Sequence, residues 1–255
     1  MSGAKISVFI ITKNEEANIA KCLESVKWAD EIVIADSFSS DKTPDICRNY
    51  TDKVYQREFS DFADMKNFAL SKVSNEWALS IDADEECAPV LKDEITQTLA
   101  MPGIKADGFF IKRRSHIFGR WFKFTGTQND FQMRLFRAAK ARYFQPIHEK
   151  VNIDGETSYL KESLLHYTYN SVSDYMIRLK RYTDVEAKFL KSKGERLVFL
   201  KIFVMPPLRF ISLYFIKQGF RDGVSGFLFS IFSGFYDFMK YAKLTKLIIK
   251  DKISK

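Results

Sequence analysis

The chain has 255 residues, 46% of them hydrophobic, and a formal net charge of +8 at pH 7. Residues 1–165 contain 23 Lys/Arg and 25 Asp/Glu, whereas residues 166–255 contain 17 and 7, so the positive excess lies in the C-terminal part. The basic residues of this part are interspersed with long aromatic and aliphatic runs, and no nucleic-acid-binding motif accompanies them, so a nucleic-acid binder is the weakest interpretation. The three cysteines lack C-x-x-C spacing, so neither a zinc site nor a disulfide framework is indicated.

The first part of the chain alternates between strand and helix patterns. Residues 6–12, ISVFIIT, predict a strand buried on both faces, and a helix pattern separates them from a second strand, EIVIAD, that ends at Asp36. A short helix, a brief strand, a helix over 61–72 and a strand over 76–81 continue the βαβ pattern. No G-x-G-x-x-G motif follows the first strand, which argues against a dinucleotide-binding domain.

The alternation becomes irregular after residue 88. A helix is predicted near 89–100 and a strand near 107–113, followed by a basic aromatic loop, RRSHIFGRWFKF. The strand QMRLFR comes next, and a further apolar strand ends at His166. The basic side chains of the loop are suited to binding a phosphorylated or lipidic acceptor, and exposure to solvent without a ligand is the alternative. Arg134 and Arg137 flank a strand, and one of them is a candidate contact for the diphosphate.

Two apolar stretches follow Leu197. Lys201, Pro206, Pro207 and Arg209 are expected to interrupt the first, and the second has too few uncharged residues for the ~20 that span a bilayer. Attachment at the membrane interface is therefore predicted, with a helical subdomain packed on the rest of the protein as the alternative. The N-terminus shows no signal-peptide pattern, so the expected location is cytoplasmic, on the inner face of the cell membrane.

Polar and acidic side chains follow several predicted parallel strands. Thr12 to Glu15, Asp36, and the pair Asp82 and Asp84 all lie at or just beyond strand ends. Open α/β sheets bind ligands at the carboxyl ends of their strands. Carboxylates placed there are suited to holding a divalent metal beside a phosphate.

Four segments in order, ITKNEEANI, VIADSFSSDKT, DFADMKNFAL and LSIDADEE, resemble the nucleotide-binding half of family 2 glycosyltransferases, which are inverting enzymes with the GT-A fold. Within that family, HIFGRWFKF, NDFQMRLFR, PIHEKV and FRDGVSGFLFSIFSGFYDFMKY are similar to enzymes that add a sugar to the inner core of bacterial lipopolysaccharide. The resemblance implies an α/β GT-A domain over residues 1–170. A basic, aromatic-rich helical extension that associates with the membrane would occupy 171–255.

The resemblance also implies the donor-binding residues. Asp36 would accept a hydrogen bond from the imide N–H of the nucleobase, which suits uracil. The remaining positions that match family contacts to the base, ribose or sugar are Thr12, Asn14, Glu15, Lys66 and Asn67.

Metal and catalytic roles follow in the same way. Asp84 would bind Mg²⁺ or Mn²⁺ directly, and Asp82 would meet the ribose or a metal-bound water. His148 is a candidate for a further metal ligand or a phosphate contact, with a structural histidine as the alternative. Glu149 is the predicted general base for the acceptor hydroxyl, with Asp130 as the alternative. The His148 and Glu149 pair stands where many relatives carry two acidic residues.

The expected activity is inverting, metal-dependent transfer of a hexose, with UDP-glucose as the expected donor, to a lipid-anchored saccharide such as lipopolysaccharide core. A polyprenyl phosphate acceptor is an alternative within the same fold. A non-catalytic membrane-binding module with a degenerate nucleotide site is another. Retention of Asp36, Asp82, Asp84 and Glu149 argues against that last possibility, because such a module has no need of these acidic residues.

Overall fold

The computed structural model describes residues 4–145, 150–169, 171–195 and 197–253. These residues form two compact units, one made of residues 4–113 and 130–166 and the other of residues 114–129 and those from Tyr167 onward. The sequence did not indicate that residues 114–129 group with the C-terminal helices. The domain boundary predicted near residue 170 stays a prediction.

Strands and helices alternate along the N-terminal part, as the sequence pattern predicts. In chain order the elements up to residue 121 are β1 (Ile6–Thr12), α1 (Ile19–Val26), β2 (Glu31–Asp36), α2 (Thr43–Arg48), β3 (Val54–Gln56), α3 (Phe62–Leu70), β4 (Trp77–Ser80), β5 (Glu85–Cys87), α4 (Pro89–Ala100), β6 (Gly108–Ile117) and β7 (Arg120–Trp121). The later ones are β8 (Phe131–Arg137), β9 (Ala141–Phe144), β10 (Lys150–Ile153), β11 (Thr157–Tyr169), α5 (Val172–Ser192), α6 (Val198–Ile211) and α7 (Gly223–Ile253).

The main sheet is mixed. Its strand order is β3-β2-β1-β4-β8-β6-β11-β5, and β9 pairs with β10 separately. The half formed by β3, β2, β1 and β4 is parallel, whereas β8 is antiparallel to both β4 and β6. The parallel half brings the carboxyl ends of β1, β2 and β4 to one edge, which is the arrangement the strand ends predicted.

Hydrophobic residues cover both faces of the parallel half. Val8 and Ile10 of β1 belong to one buried cluster with residues of α1 and α4, while Phe9 belongs to another with residues of α3 and β9. Side chains alternate between the two faces of a strand, so a continuous apolar run such as ISVFIIT fits a strand covered on both sides. Burial on both faces fixes the register that positions the strand ends.

The acidic segment after β4 contains a strand that the sequence did not predict. The expected strand over 76–81 ends at Ser80, and β5 begins at Glu85 and pairs antiparallel with β11. This short strand places His166 of β11 opposite Glu85. A strand of three residues carries no periodicity of its own, so only its pairing with β11 reveals it.

The second unit is largely helical. Helix α6 runs through Pro206 and Pro207, and a π-helical turn over Ser212–Ile216 continues it. The expectation that these prolines interrupt the helix is therefore wrong. Two backbone donors are lost there, but α6 packs closely on α7: a Cβ added to Gly234 would lie 2.9 Å from the Pro206 carbonyl oxygen.

Among the described residues, one helical stretch, Val198–Ile216, is long and apolar enough to cross a membrane by length and composition alone. Very little of that stretch is buried. The apolar character predicted for this part of the chain is therefore presented outward rather than packed into a core.

Candidate active site

The carboxyl edge of the parallel strands gathers most of the predicted site residues of the first unit. Thr12 at the end of β1 lies opposite Asp36 at the end of β2, and Phe9 of β1 lies opposite Ser80 at the end of β4. The acidic segment 82–85 leaves the sheet at this same edge. The strand register thus brings together residues that are far apart in the chain.

Hydrogen bonds join the loops after β1 and β2. Asp36 is fully buried, and its carboxylate accepts from the Ser39 backbone N–H at 2.9 Å and from the Ser39 hydroxyl at 2.5 Å. Asn14 has a φ of +54°, a left-handed conformation that asparagine tolerates well, and its side-chain oxygen accepts from the Ser40 N–H at 2.8 Å. The two loops are therefore held together before any ligand arrives.

Glu15 and Thr12 also contribute to this edge. The Glu15 backbone N–H donates to the Thr43 hydroxyl at 2.8 Å, and the Glu15 carbonyl accepts from Asn18 and Ile19 at the start of α1. The Thr12 hydroxyl is buried and has no hydrogen-bond partner within the described part of the chain. Buried polar groups are nearly always satisfied, so an unpartnered hydroxyl at this edge suits a bound ligand or water.

Asp82 is held by two cations. Its carboxylate lies 3.0 Å from the Lys66 ammonium and 2.5 Å from the Arg134 guanidinium, and both of those cationic side chains are 4% exposed. Burial opposes ionisation of Asp82, but Arg134 and then Lys66 outweigh it and hold its pKa well below the usual range. Asp82 therefore stays ionised and fixed in position.

These contacts belong to a longer series of alternating charges, which we call the charge ladder: Lys66, Asp82, Arg134, Glu85, Arg113 and Asp130. Arg134 also lies 2.6 Å from Glu85, and Arg113 lies 3.7 Å from Glu85 and 2.8 Å from Asp130. Three positive and three negative side chains balance one another. The sequence analysis identified members of the ladder but not their pairing.

Asp84 has a different environment from Asp82. Its carboxylate oxygen lies 3.6 Å from Nε2 of His166, and these side chains are 11% and 13% exposed. The sequence analysis paired Asp84 with His148 and missed His166, although it placed the end of a strand at that histidine. A histidine at the end of an apolar strand was the signal that could have identified it.

The pair of Asp84 and His166 fits a metal that is shared with a ligand. One carboxylate oxygen and one imidazole nitrogen are suitable donors. No group of three or more His, Cys, Asp or Glu residues suited to a metal occurs in the described part of the chain. A divalent ion here would need phosphate oxygens or water to complete its coordination, as is usual for Mg²⁺ at nucleotide sites.

Of the two predicted catalytic bases, the structure describes Asp130 but not Glu149. His148 and Glu149 lie outside the described residues. Both oxygens of Asp130 are engaged: one accepts from Arg113 at 2.9 Å and the other from the Gln132 amide at 2.8 Å. Asp130 is thus held in an ion pair with Arg113, so Glu149 is the base to test first.

Asn67 and Arg137 lie in structural positions. The Asn67 amide donates to the Tyr143 carbonyl and accepts from the Tyr143 N–H, each at 2.9 Å, so it ties α3 to β9. Arg137 lies opposite Trp77, at the start of β4 and away from the acidic edge, where it pairs with Glu76 and Asp107. Of the two arginines considered for a diphosphate contact, only Arg134 is at the acidic edge. The roles assigned to the individual site residues, that of Asn67 included, stay predictions.

Several known sequences similar to this chain are glycosyltransferases. The sequence model described as Glycosyl transferase family 2 matches residues 7–168. The lipopolysaccharide core biosynthesis glycosyltransferase LpsC of Rhizobium meliloti (strain 1021) is 32% identical over 94% of this chain and 91% of its own length. An uncharacterized glycosyltransferase of Rickettsia felis is 30% identical over 97% of this chain and 92% of its own.

Solved structures give more distant similarities. Glucosyl-3-phosphoglycerate synthase from Mycobacterium tuberculosis, solved with Mn²⁺, UDP and glucosyl-3-phosphoglycerate, has a TM-score of 0.49 at 17% identity over 75% of this chain and 81% of that chain. S. aureus TarS with UDP-GlcNAc has a TM-score of 0.47 at 17% identity over 91% and 81%. At these values the likeness carries no argument about ligands of this chain.

Proposed function

Because the chain belongs to glycosyltransferase family 2, we propose that it transfers a hexose, with UDP-glucose as the expected donor, to a lipid-anchored saccharide such as the core of lipopolysaccharide. The predicted GT-A fold and the resemblance to lipopolysaccharide core glycosyltransferases are confirmed. The observation that carries the proposal is the convergence of Asp36, Asp82, Asp84 and His166 around one edge of the sheet.

The donor would bind across the loops that follow β1 and β2. Asp36 is buried with its carboxylate already oriented by Ser39, and a carboxylate can accept from a nucleobase N–H while keeping those contacts. Pre-oriented loops reduce the conformational entropy that binding would otherwise cost. Thr12, Asn14 and Glu15 lie beside this position and would contact the base and ribose.

Asp84 and His166 would hold the divalent metal, Mg²⁺ or Mn²⁺, next to the donor diphosphate. When bound, such an ion neutralises the charge that develops on the departing nucleoside diphosphate. Asp82 would meet the ribose or a water from a position fixed by Lys66 and Arg134. The cationic groups of the charge ladder prevent the acidic edge from repelling a diphosphate as strongly as unpaired carboxylates would.

The transfer is proposed to invert the anomeric centre. The acceptor hydroxyl attacks the anomeric carbon as the bond to the nucleoside diphosphate breaks, and the hydroxyl proton passes to a carboxylate on the protein. Positive charge grows on the sugar ring during this step, as in glycoside hydrolysis. Glu149 is the proposed base.

The test uses the purified full chain with radiolabelled nucleotide sugars and Mg²⁺ or Mn²⁺. Each donor is first assayed for hydrolysis, and the best one is then offered with a lipopolysaccharide core acceptor or with a polyprenyl phosphate. We expect label in the core saccharide, released only by conditions that cleave glycosidic bonds. If only polyprenyl phosphate is labelled, it replaces the core saccharide as the proposed acceptor. If no donor is turned over, the proposed activity is contradicted.

A further inference from the structure

The second unit exposes apolar side chains on two neighbouring helices. Phe203, Leu208 and Ile216 along α6 and its π-helical turn are 63%, 52% and 73% exposed, and Val224 at the start of α7 is 75% exposed. Rings from the two helices also meet, with Phe210 and Phe227 centroids 6.1 Å apart. The exposed side chains therefore lie on adjacent helices, and we call them the apolar face.

The first half of helix α7, up to Asp237, has the opposite polarity to a helix of a soluble protein, whereas the second half buries Tyr241 and Leu244 in an apolar cluster. The first half buries Ser230, Ser233 and Asp237 within the unit and exposes Phe227, Ile231 and others on the remaining side. Soluble monomers seldom expose a contiguous apolar surface of more than a few hundred Å². A helix that turns its polar residues inward and its aromatic residues outward is suited to an apolar surrounding medium.

A group of cations lies at one end of the apolar face. The buried carboxylate of Asp222 accepts from the backbone N–H groups of Lys123 and Phe124, each at 3.0 Å, and from the Thr125 hydroxyl at 2.7 Å. These bonds fix the basic loop against the start of α7. Around this point lie four exposed cationic residues, which we call the basic cluster: Arg120, Lys123, Lys217 and Arg221.

Local contacts confirm that the cluster is compact. The Arg120 guanidinium is 3.0 Å from the point where a Cβ on Gly223 would lie, and the Lys217 side chain lies against Gly126. The Arg221 guanidinium stands over the Phe124 ring, 4.2 Å from its centroid. The loop therefore brings its cations to the end of the helical pair.

Within the part of the chain that the structure describes, no carboxylate pairs with the basic cluster, whereas other cations of the unit have carboxylate partners. Lys201 pairs with Glu195, Lys240 with Asp237 at 2.6 Å and Lys243 with Asp184 at 2.8 Å, and Arg209 lies 3.9 Å from Asp237. No ion pair within the described residues involves a member of the basic cluster.

We propose that the apolar face and the basic cluster together form a docking surface for an anionic lipid bilayer. The two helices lie in the plane of one leaflet, and the cluster meets lipid phosphates. Charge complementarity identifies the occupant: the phosphates of an anionic bilayer match the basic cluster, whereas a second copy of this chain would present the same positive surface. The inference rests on the proposed function, in which the sugar acceptor is anchored in a lipid membrane, and it assigns Arg120 and Lys123 to lipid rather than to that acceptor.

The test measures vesicle binding of the full chain without donor or acceptor, so its failure leaves the transferase assignment intact. Vesicles are made of phosphatidylcholine alone or mixed with phosphatidylglycerol. One variant changes Arg120, Lys123, Lys217 and Arg221 to Gln. The matched control changes four cations of the first unit that lie outside any ion pair of the described residues, Lys5, Lys92, Lys105 and Lys161, to Gln, which alters the net charge equally.

Each basic residue near an anionic surface contributes about fivefold to binding, so the cluster variant should bind anionic vesicles between about tenfold and several hundredfold more weakly than the control. The cluster variant and the control variant should bind neutral vesicles equally. A third variant, with Leu208, Ile216 and Val224 changed to Ser, should lose affinity for both kinds of vesicle.

Three results would overturn the inference. Equal losses in the cluster variant and its control would mean that only net charge matters. A wild-type dimer that the Leu208, Ile216 and Val224 substitutions dissociate, without a change in vesicle binding, would assign the apolar face to a second copy. Retention on cell membranes through alkaline carbonate, unchanged in the cluster variant, would indicate a helix that crosses the bilayer.

Discussion

Asp82 and Asp84 show how two carboxylates that are two positions apart acquire different roles. The chain turns at Ala83 and Asp84, where the Glu85 N–H donates to the Asp82 carbonyl at 2.9 Å. Asp82 reaches the cations of α3 and β8, while Asp84 reaches the imidazole on β11. Asp82 is thereby fixed by ion pairs. Asp84 has a neighbour whose neutral form is itself a metal donor, so Asp84 and His166 are the residues on which metal binding should depend.

Asp84→Asn and His166→Ala should each weaken binding of Mn²⁺ in the presence of UDP and reduce transfer, because each removes one of the two protein donors. We expect at least a tenfold loss of metal affinity, in line with about 1.5 to 3 kcal/mol for a contact to a charged group. Electron paramagnetic resonance of free Mn²⁺ provides the measurement. Asp93→Asn, on the surface of α4, is the control. Unchanged Mn²⁺ binding in both variants would exclude this pair.

Asp36→Ala should chiefly weaken nucleotide binding. Loss of one hydrogen bond to a charged acceptor corresponds to an affinity about ten- to a hundredfold lower. Titration calorimetry with UDP measures this change. Since Asp36 also accepts from Ser39, Ser39→Ala serves as a comparison for damage to the loop alone. Equal losses in both variants would make Asp36 a structural residue instead of a base-reading one.

Glu149→Gln should retain donor and metal binding and lower the transfer rate by about 10² to 10⁴, the usual contribution of a positioned base. Asp130→Asn should have a smaller effect on the rate, because Asp130 is engaged by Arg113 and Gln132. Rates are measured at saturating donor and acceptor. If Glu149→Gln stays fast while Asp130→Asn is inactive with normal UDP binding, Asp130 is the base instead of Glu149.

At the scale of elements, the charge ladder joins five parts of the first unit. Lys66 lies on α3, Asp82 follows β4, Arg134 lies on β8, Glu85 on β5 and Arg113 on β6. Each ion pair therefore crosses between elements. The packing of α3 and the pairing of β4, β8 and β6 set the positions of the charged groups, and the ladder in turn keeps the segment after β4 in one conformation.

Arg134→Met should destabilise the protein by about 3 to 5 kcal/mol, the usual cost of removing one partner from a buried ion pair. Asp82 and Glu85 would then lose the guanidinium that they share. Urea unfolding followed by circular dichroism measures the change. Arg48→Met, which breaks an exposed pair with Asp45, should cost no more than about 1 kcal/mol. Equal effects would show that the ladder adds nothing to stability.

At the scale of the whole molecule, the first unit carries a polar cluster at the edge of the sheet opposite to the site. Glu31 at the start of β2 accepts from Ser74 at 2.8 Å and is also bonded to Ser7 and Lys53. Burial would raise its pKa, but the bonds from Lys53, Ser7 and Ser74 outweigh burial and lower it to about 2. The cluster joins the starts of β1 and β2 to the segment before β4.

The lowered pKa of Glu31 predicts a pH-dependent contribution to stability. Folding favours the ionised form, so the contribution is complete above the ordinary glutamate pKa and is lost as the pH falls toward about 2. Its size at neutral pH is about 3 kcal/mol. The difference in unfolding free energy between the wild type and Glu31→Gln should shrink across this range. A constant difference would contradict the assignment.

The sequence by itself determined the alternation of strands and helices, the acidic strand ends and the family, because these depend on local apolar periodicity and on short motifs. Only the tertiary structure decided that His166 stands beside Asp84, that Lys66 and Arg134 hold Asp82, and that residues 114–129 join the C-terminal helices. Such contacts depend on strand register and helix packing between distant segments, which no local pattern encodes. The continuity of α6 through its prolines has the same origin, since close packing on α7 offsets a local preference against helix.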